Sequence, residues 1–152
     1  KGFKDLLSLG IIDKVPVIYS VQAKTSDALY RAWDSGVFSN ISTHTVADSI
    51  CVDIPRNGYH ARKLLKDYNG RIIRVTDKAI LAAQHELASS SGIFTEPAGA
   101  AAYAGFIQEQ DQLECEAQVV IITTGNGLKD VASALKGVKA PDKSIKSIQD
   151  IL

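Results

Sequence analysis

The feature that most constrains this chain is a repeated alternation of short β-branched runs with stretches of helical length and pattern. Residues 16–22 (PVIYSVQ), 49–54 (SICVDI), 71–75 (RIIRV) and 118–123 (QVVIIT) have the length and the Val, Ile and Tyr content of strands. Helical segments surround them. Phe3, Leu6, Leu7 and Leu9 lie at helical spacing ahead of Gly10, and Thr25, Ser26 and Asp27 offer caps to a helix bearing Ala28, Leu29, Ala32 and Trp33. Residues 59–68 carry Leu64 and Leu65 and end at Asn69-Gly70. Thr76 and Asp77 cap residues 78–90, Gly92 stops them, and Pro97 suits the first position of a further helix, AGAAAYAGFIQ. A strand that joins a parallel neighbour needs a crossover, and a right-handed helix supplies it. The alternation predicts an α/β fold: a three-layer αβα arrangement around a mostly parallel sheet of about four strands, apolar nearly throughout because helices cover both faces.

Composition narrows what such a domain does. The 152 residues suffice for one domain, residues 1–152, with a real core. Lys plus Arg and Asp plus Glu are 17 each, so no net field draws in nucleic acid or an anionic membrane, and neither is expected as a partner. Cys51 and Cys115 form no CxxC pair and no His cluster accompanies them, so a disulfide framework and a metal site are not expected. The apolar stretches fall far short of the roughly 20 residues that span a bilayer, and no secretory leader is visible. Reduced thiols in a cytoplasmic protein are the expectation. The chain holds no methionine and opens on Lys1 inside a helical pattern, which reads as part of a longer protein. From Gly137 onward, Lys139, Lys143 and Lys146 mark a polar connection into a short helix.

In open parallel sheets, ligands bind beyond the carboxyl ends of strands, so the segments following them matter most. After residues 118–123 comes Thr124-Gly125-Asn126-Gly127-Leu128-Lys129-Asp130, a hydroxyl followed by two glycines that allow close backbone approach. A plain tight turn also explains it. A second segment, GIFTEPAGAAA, places Glu96 at the positive end of a helix, where a structural charge and a site role are both open. The third, THTVADSI, enters the run at 49–54, and its Asp48 equally suits a surface turn.

In this order and on this scaffold, the three segments resemble the large domain of fold-type II pyridoxal-phosphate enzymes, the tryptophan synthase β-like family, and its threonine synthase group in particular. KGFKDLLSLG is similar to the helix after that family's phosphate loop, PVIYSVQA to its next strand, and RIIRVTDKAILAAQHELASSSGIFTEPAGAAAYAG and VVIITTGNGLKD to its closing segments. The resemblance implies that Thr124 hydrogen-bonds the pyridine nitrogen of pyridoxal phosphate and that Gly125 leaves room for the ring. Ala47 and Ser49 would lie near its face or edge, with Glu96 at its polar rim. Asn126 stands where the family motif often has His. The Schiff-base lysine and the glycine-rich phosphate cradle belong to the part of the family pattern that precedes Lys1. The resemblance therefore implies a chain that is inactive alone and that lacks stably bound cofactor. Lys24 and Lys129 lie in polar surroundings unsuited to a lysine nucleophile.

The implied activity of the whole enzyme is conversion of O-phosphohomoserine, a small amino-acid phosphate, and water to threonine and phosphate. A serine or threonine dehydratase is the rival, from THTVADSI and the IPRN that follows, and a non-catalytic α/β binding domain is a third reading. Apolar surface normally covered by the rest of the protein would favour a homodimer through that face.

Overall fold

The computed structural model describes residues 1–139 and 147–150. In chain order it forms α1 (Gly2–Ser8), β1 (Tyr19–Ala23), α2 (Ala28–Arg31), α3 (Gly58–Asp67), β2 (Arg71–Val75), α4 (Asp77–Ser91), α5 (Pro97–Glu109) and α6 (Val131–Lys136). β1 and β2 pair in parallel, with Tyr19 opposite Arg71 and Ala23 opposite Val75. The crossover between them runs through α2, a long loop and α3, so the parallel pairing expected from the alternation is present.

The helix ends follow their sequence signals. The Thr76 side chain accepts a hydrogen bond from the Ala79 amide, satisfying a donor that an α4 without a cap would leave bare. Gly92 closes α4 at φ 73°, a left-handed conformation that costs glycine little. Pro97 begins α5, where its missing N–H has no partner to lose. At the other end of the chain, the α1 pattern stops at Leu9 with Gly10 at φ 69°.

Small residues decide how the layers meet. α5 buries Gly99, Ala100, Ala101, Ala104 and Gly105, and a β-carbon at Gly105 would fall 2.6 Å from Val21 Cγ2. Helix and strand backbones thus approach more closely than larger side chains allow. The core joins Ala23, Ile73 and Val75 of the sheet to Ile80 and Ala83 of α4 and to the alanines of α5. Ile80 and Val75 are its largest fully buried side chains. On the other side of β2, Asp27 accepts from Arg31 at 2.8 Å and Arg74 at 3.0 Å, tying α2 to the strand.

Two of the expected strands are not strands among the described residues. The sheet holds two strands rather than about four. Residues 48–50 form a 3₁₀ turn instead, and the buried Ser26 explains it: its hydroxyl donates to Ile50 O at 3.2 Å and accepts from Val52 N at 2.9 Å. Asp53 then accepts from both the amide and the hydroxyl of Thr43. Side chains have taken the backbone groups that a ladder would use. Residues 118–123 carry the β-branched pattern but pair with no described strand, and Val120 and Ile122 are 86% and 70% exposed. A strand is a property of a pair, so pattern without a partner leaves the segment outside the sheet. Of the polar tail expected after Gly137, Lys143 and Lys146 lie outside the described residues, and Ile148–Asp150 form a 3₁₀ turn.

Candidate functional site at the amino end of α5

The glycine loop is held against the amino end of α5 by a short antiparallel seam. Thr95 and Asn126 form a β-bridge. The Gly125 carbonyl accepts from the Glu96 amide at 2.8 Å and from the Thr95 hydroxyl at 2.7 Å, and the Gly127 amide donates to Phe94 O at 3.0 Å. Behind the seam, the buried Gln84 of α4 donates its amide to Thr95 O at 2.7 Å. Two caps continue the loop: Asn126 Oδ1 accepts from Leu128 N at 2.8 Å, and Asp130 Oδ1 accepts from Ser133 N at 3.0 Å at the start of α6.

Glu96 is the centre of this arrangement. Its side chain is only 8% exposed, and burying a carboxylate without partners is costly. Two partners are present. Lys129 Nζ donates to Oε2 at 2.8 Å, and Thr124 Oγ1 donates to Oε1 at a longer 3.3 Å. The amino end of α5 adds a favourable dipole. Hydrogen bonding to Glu96, then the charge of that carboxylate, with a smaller pull from Asp48, raises the Lys129 pKa above the ordinary lysine value. The glycines make the approach possible. A β-carbon at Gly125 would overlap the Glu96 carboxylate, one at Gly127 would fall 2.6 Å from the Phe94 ring, and one at Gly99 would overlap the Thr95 hydroxyl and reach Thr124 N at 3.0 Å.

Thr124, Gly125 and Glu96 are therefore brought together. Gly125 accommodates the carboxylate of Glu96, a role that the glycine pattern alone does not reveal. Ala47 is wholly enclosed in the core, and the preceding loop is pinned by Asp77, which accepts from the Thr45 hydroxyl and from Val46 N. Ser49 is exposed and donates to Asp48 at 3.2 Å, without a hydrogen bond to the seam. Sequence reasoning missed Lys129 as the partner of Glu96, and Gln84 as the support behind Thr95. A carboxylate expected at the start of a buried helix does call for a cation, and Lys129 is the lysine on the loop that faces it.

The residues present suit one edge of a flat heteroaromatic cofactor. Thr124 is exposed, its hydroxyl holds only the long bond to Glu96, and a neutral hydroxyl can meet a pyridine nitrogen as donor or acceptor. Every lysine among the described residues is exposed, and the raised pKa of Lys129 runs opposite to what an amine nucleophile needs. Among the described residues no group of three or more His, Cys, Asp or Glu could hold a metal, and no helix is long and apolar enough to cross a membrane.

Fold and loop together define a class. Residues 1–125 match the family model for pyridoxal-phosphate dependent enzymes, and the chain belongs to that family, whose cofactor is pyridoxal phosphate. Within it, the chain is similar to threonine synthases. It is 34% identical over 148 residues to that of Methanocaldococcus jannaschii, covering 94% of this chain and 36% of that protein. It is 35% identical over 140 residues to that of Mycobacterium bovis, covering 90% and 37%. The chain thus spans little more than a third of the length of these relatives. Among solved structures, the processed form of threonine deaminase isoform 2 from Solanum lycopersicum superposes with a TM-score of 0.69 at 17% identity, over 91% of this chain and 40% of that one. A fungal L-serine ammonia-lyase from Rhizomucor miehei gives 0.65 at 20% identity, over 86% and 42%. At these identities the likeness is one of fold.

Proposed function

We propose that this chain supplies the nitrogen-facing wall of the cofactor site in a threonine synthase, which converts O-phosphohomoserine and water to threonine and phosphate. The observation that carries this reading is the exposed Thr124 hydroxyl, set at the mouth of a loop whose neighbours are fixed by the Thr95–Asn126 seam. Identity of 34% and 35% to threonine synthases supports the choice of reaction.

Bound pyridoxal phosphate supplies an electron sink for elimination and replacement, and a hydroxyl rather than a carboxylate at its nitrogen keeps that sink moderate. The chain's own contributions are positional. Thr124 orients the ring edge, Gly125 lets the Glu96 carboxylate lie against the loop backbone, and Ser49 stands on the exposed side of the 3₁₀ turn that packs near α5. Covalent attachment and phosphate binding fall to a lysine and a glycine-rich cradle that this chain does not provide. Isolated, it is expected to be inactive and to bind the cofactor feebly.

The complete enzyme tests the reaction. Release of inorganic phosphate and formation of threonine from O-phosphohomoserine are expected. Absence of turnover together with ammonia release from threonine would replace the synthase with a dehydratase. Titration of this chain with pyridoxal phosphate tests the division of labour, since the absorbance of a lysine-linked cofactor on it would place the attachment site here after all.

A further inference from the structure

Both segments set around the ring in the proposed site are held by side chains of one helix. In the first turn of α4, Asp77 accepts from the Thr45 hydroxyl and, at 3.1 Å, from Val46 N, while Thr45 Oγ1 accepts from Ala47 N at 3.2 Å. These bonds fix the entry to the 3₁₀ turn that carries Ser49. Two turns further along, Gln84 donates to Thr95 O at 2.7 Å and so holds the seam that carries Gly125. In an α-helix, residues seven apart rise by about 10.5 Å and differ by only about 20° around the axis, so Asp77 and Gln84 share one stripe. Ile80, wholly buried in the core, lies on that stripe between them. The helix cannot slide without drawing Ile80 out of the core, and the Thr76 cap sets where it starts after β2.

We propose that Asp77 and Gln84 are a pair of positioning residues that make α4 the common gauge of the cofactor site. Asp77 sets the wall at Ala47 and Ser49, Gln84 sets the wall at Thr124 and Gly125, and the helix between them fixes how far apart the two walls stand. The inference rests on the reading that these walls flank the ring, and it goes further by naming what spaces them. The walls do approach one another: the turn packs against α5, and its Asp48 lies close enough to act on the charge of Lys129 in the loop. Neither bond is needed to build the helix. Thr76 already serves the Ala79 amide, and the buried Gln84 directs its amide to a carbonyl outside α4. A flat ring touched on its face and at its edge tolerates little error in such a spacing, since misplacement by about 1 Å can cost on the order of 100-fold in rate.

The test uses the complete enzyme loaded with pyridoxal phosphate and reads the visible circular dichroism of the bound cofactor alongside turnover of O-phosphohomoserine. Thr45→Val removes the hydroxyl on the Asp77 side and Gln84→Met removes the amide on the other, each at similar volume and with the α4 cap intact. Each is expected to change the dichroism and to lower kcat by about tenfold to a hundredfold, with little change in KM. Thr45→Ser keeps the hydroxyl and should restore both. The double variant should lose less than the product of the single losses, because both changes act on one spacing. Ile80→Val, a core truncation on the same stripe, should lower the urea midpoint and leave dichroism and kcat as in wild type. Wild-type dichroism in Thr45→Val and Gln84→Met, a loss confined to KM, losses that multiply in full, or an equal change in Ile80→Val each overturns the proposal. Thr124→Val separates the two levels. If it changes cofactor affinity and dichroism while the α4-side variants do not, the gauge alone fails. If Thr124→Val changes neither, the placement of the ring fails with it. Dichroism requires no turnover, so it answers equally for an enzyme with a different substrate.

Discussion

Two adjoining stretches of the same polypeptide, residues 118–123 and residues 124–127, are built in opposite ways. The first has the apolar, β-branched pattern of a buried strand, yet Val120 and Ile122 lie mostly exposed and the segment joins no described ladder. The second is polar and glycine-rich, yet two hydrogen bonds to the Gly125 carbonyl and one from the Gly127 amide lock it to residues 94–96. The contrast shows that the site edge takes its position from the amino end of α5 and not from the run that leads into it. Hydrophobic content marks where a segment can pack, whereas partnered polar groups mark where it is held.

Substitutions at the seam and in the run can break or sharpen that contrast. The largest effect is expected from Gly125→Ala, whose new methyl overlaps the Glu96 carboxylate. Overpacking of this kind costs about 1–3 kcal/mol, readable in urea unfolding. Stability equal to wild type would mean that the carboxylate is free to leave. Thr95→Val comes next. It removes the 2.7 Å bond to Gly125 O while preserving shape, and about 1 kcal/mol of destabilisation is expected by the same measurement because the Glu96 amide still serves that carbonyl.

A weaker effect should appear with pH. Because the Lys129 pKa is raised by its hydrogen bond to Glu96, the pair's stabilisation is complete below the ordinary lysine value and is lost as pH rises through the raised one. Thermal unfolding of Lys129→Met and wild type should therefore converge only in strong alkali. Convergence already near neutrality would contradict the ion pair. Val120→Ser, in the exposed run, should change stability by no more than about 0.5 kcal/mol. A loss several times larger would show the run to be packed after all, and the two stretches would no longer differ.

The parts of the fold written in local chemistry were legible in the sequence. Thr76, Gly92 and Pro97 announce the ends of α4 and α5 because caps, left-handed stops and first-turn prolines act within a few residues. Residues 49–54 and 118–123 misled because their patterns say nothing about a partner edge, and because the hydroxyl of Ser26, far back in the chain, already serves Ile50 and Val52. For the site, Thr124, Gly125 and Glu96 stand out from their motifs. The bond from Lys129 to Glu96 spans the separate α5 and loop segments, so only the folded chain reveals it. Glycine likewise signals close approach without naming the visitor, which at Gly125 is a carboxylate.

Gln84 gives the arrangement a rotational reference. Its amide leaves the body of α4 and ends on Thr95 O, so the azimuth of that helix is written into the loop beside it. A single residue inserted ahead of Gln84 would swing it by about 100° around the axis and orphan the carbonyl. Length in the first two turns of α4 is thereby constrained by a threonine eleven positions downstream, however freely its outer face changes.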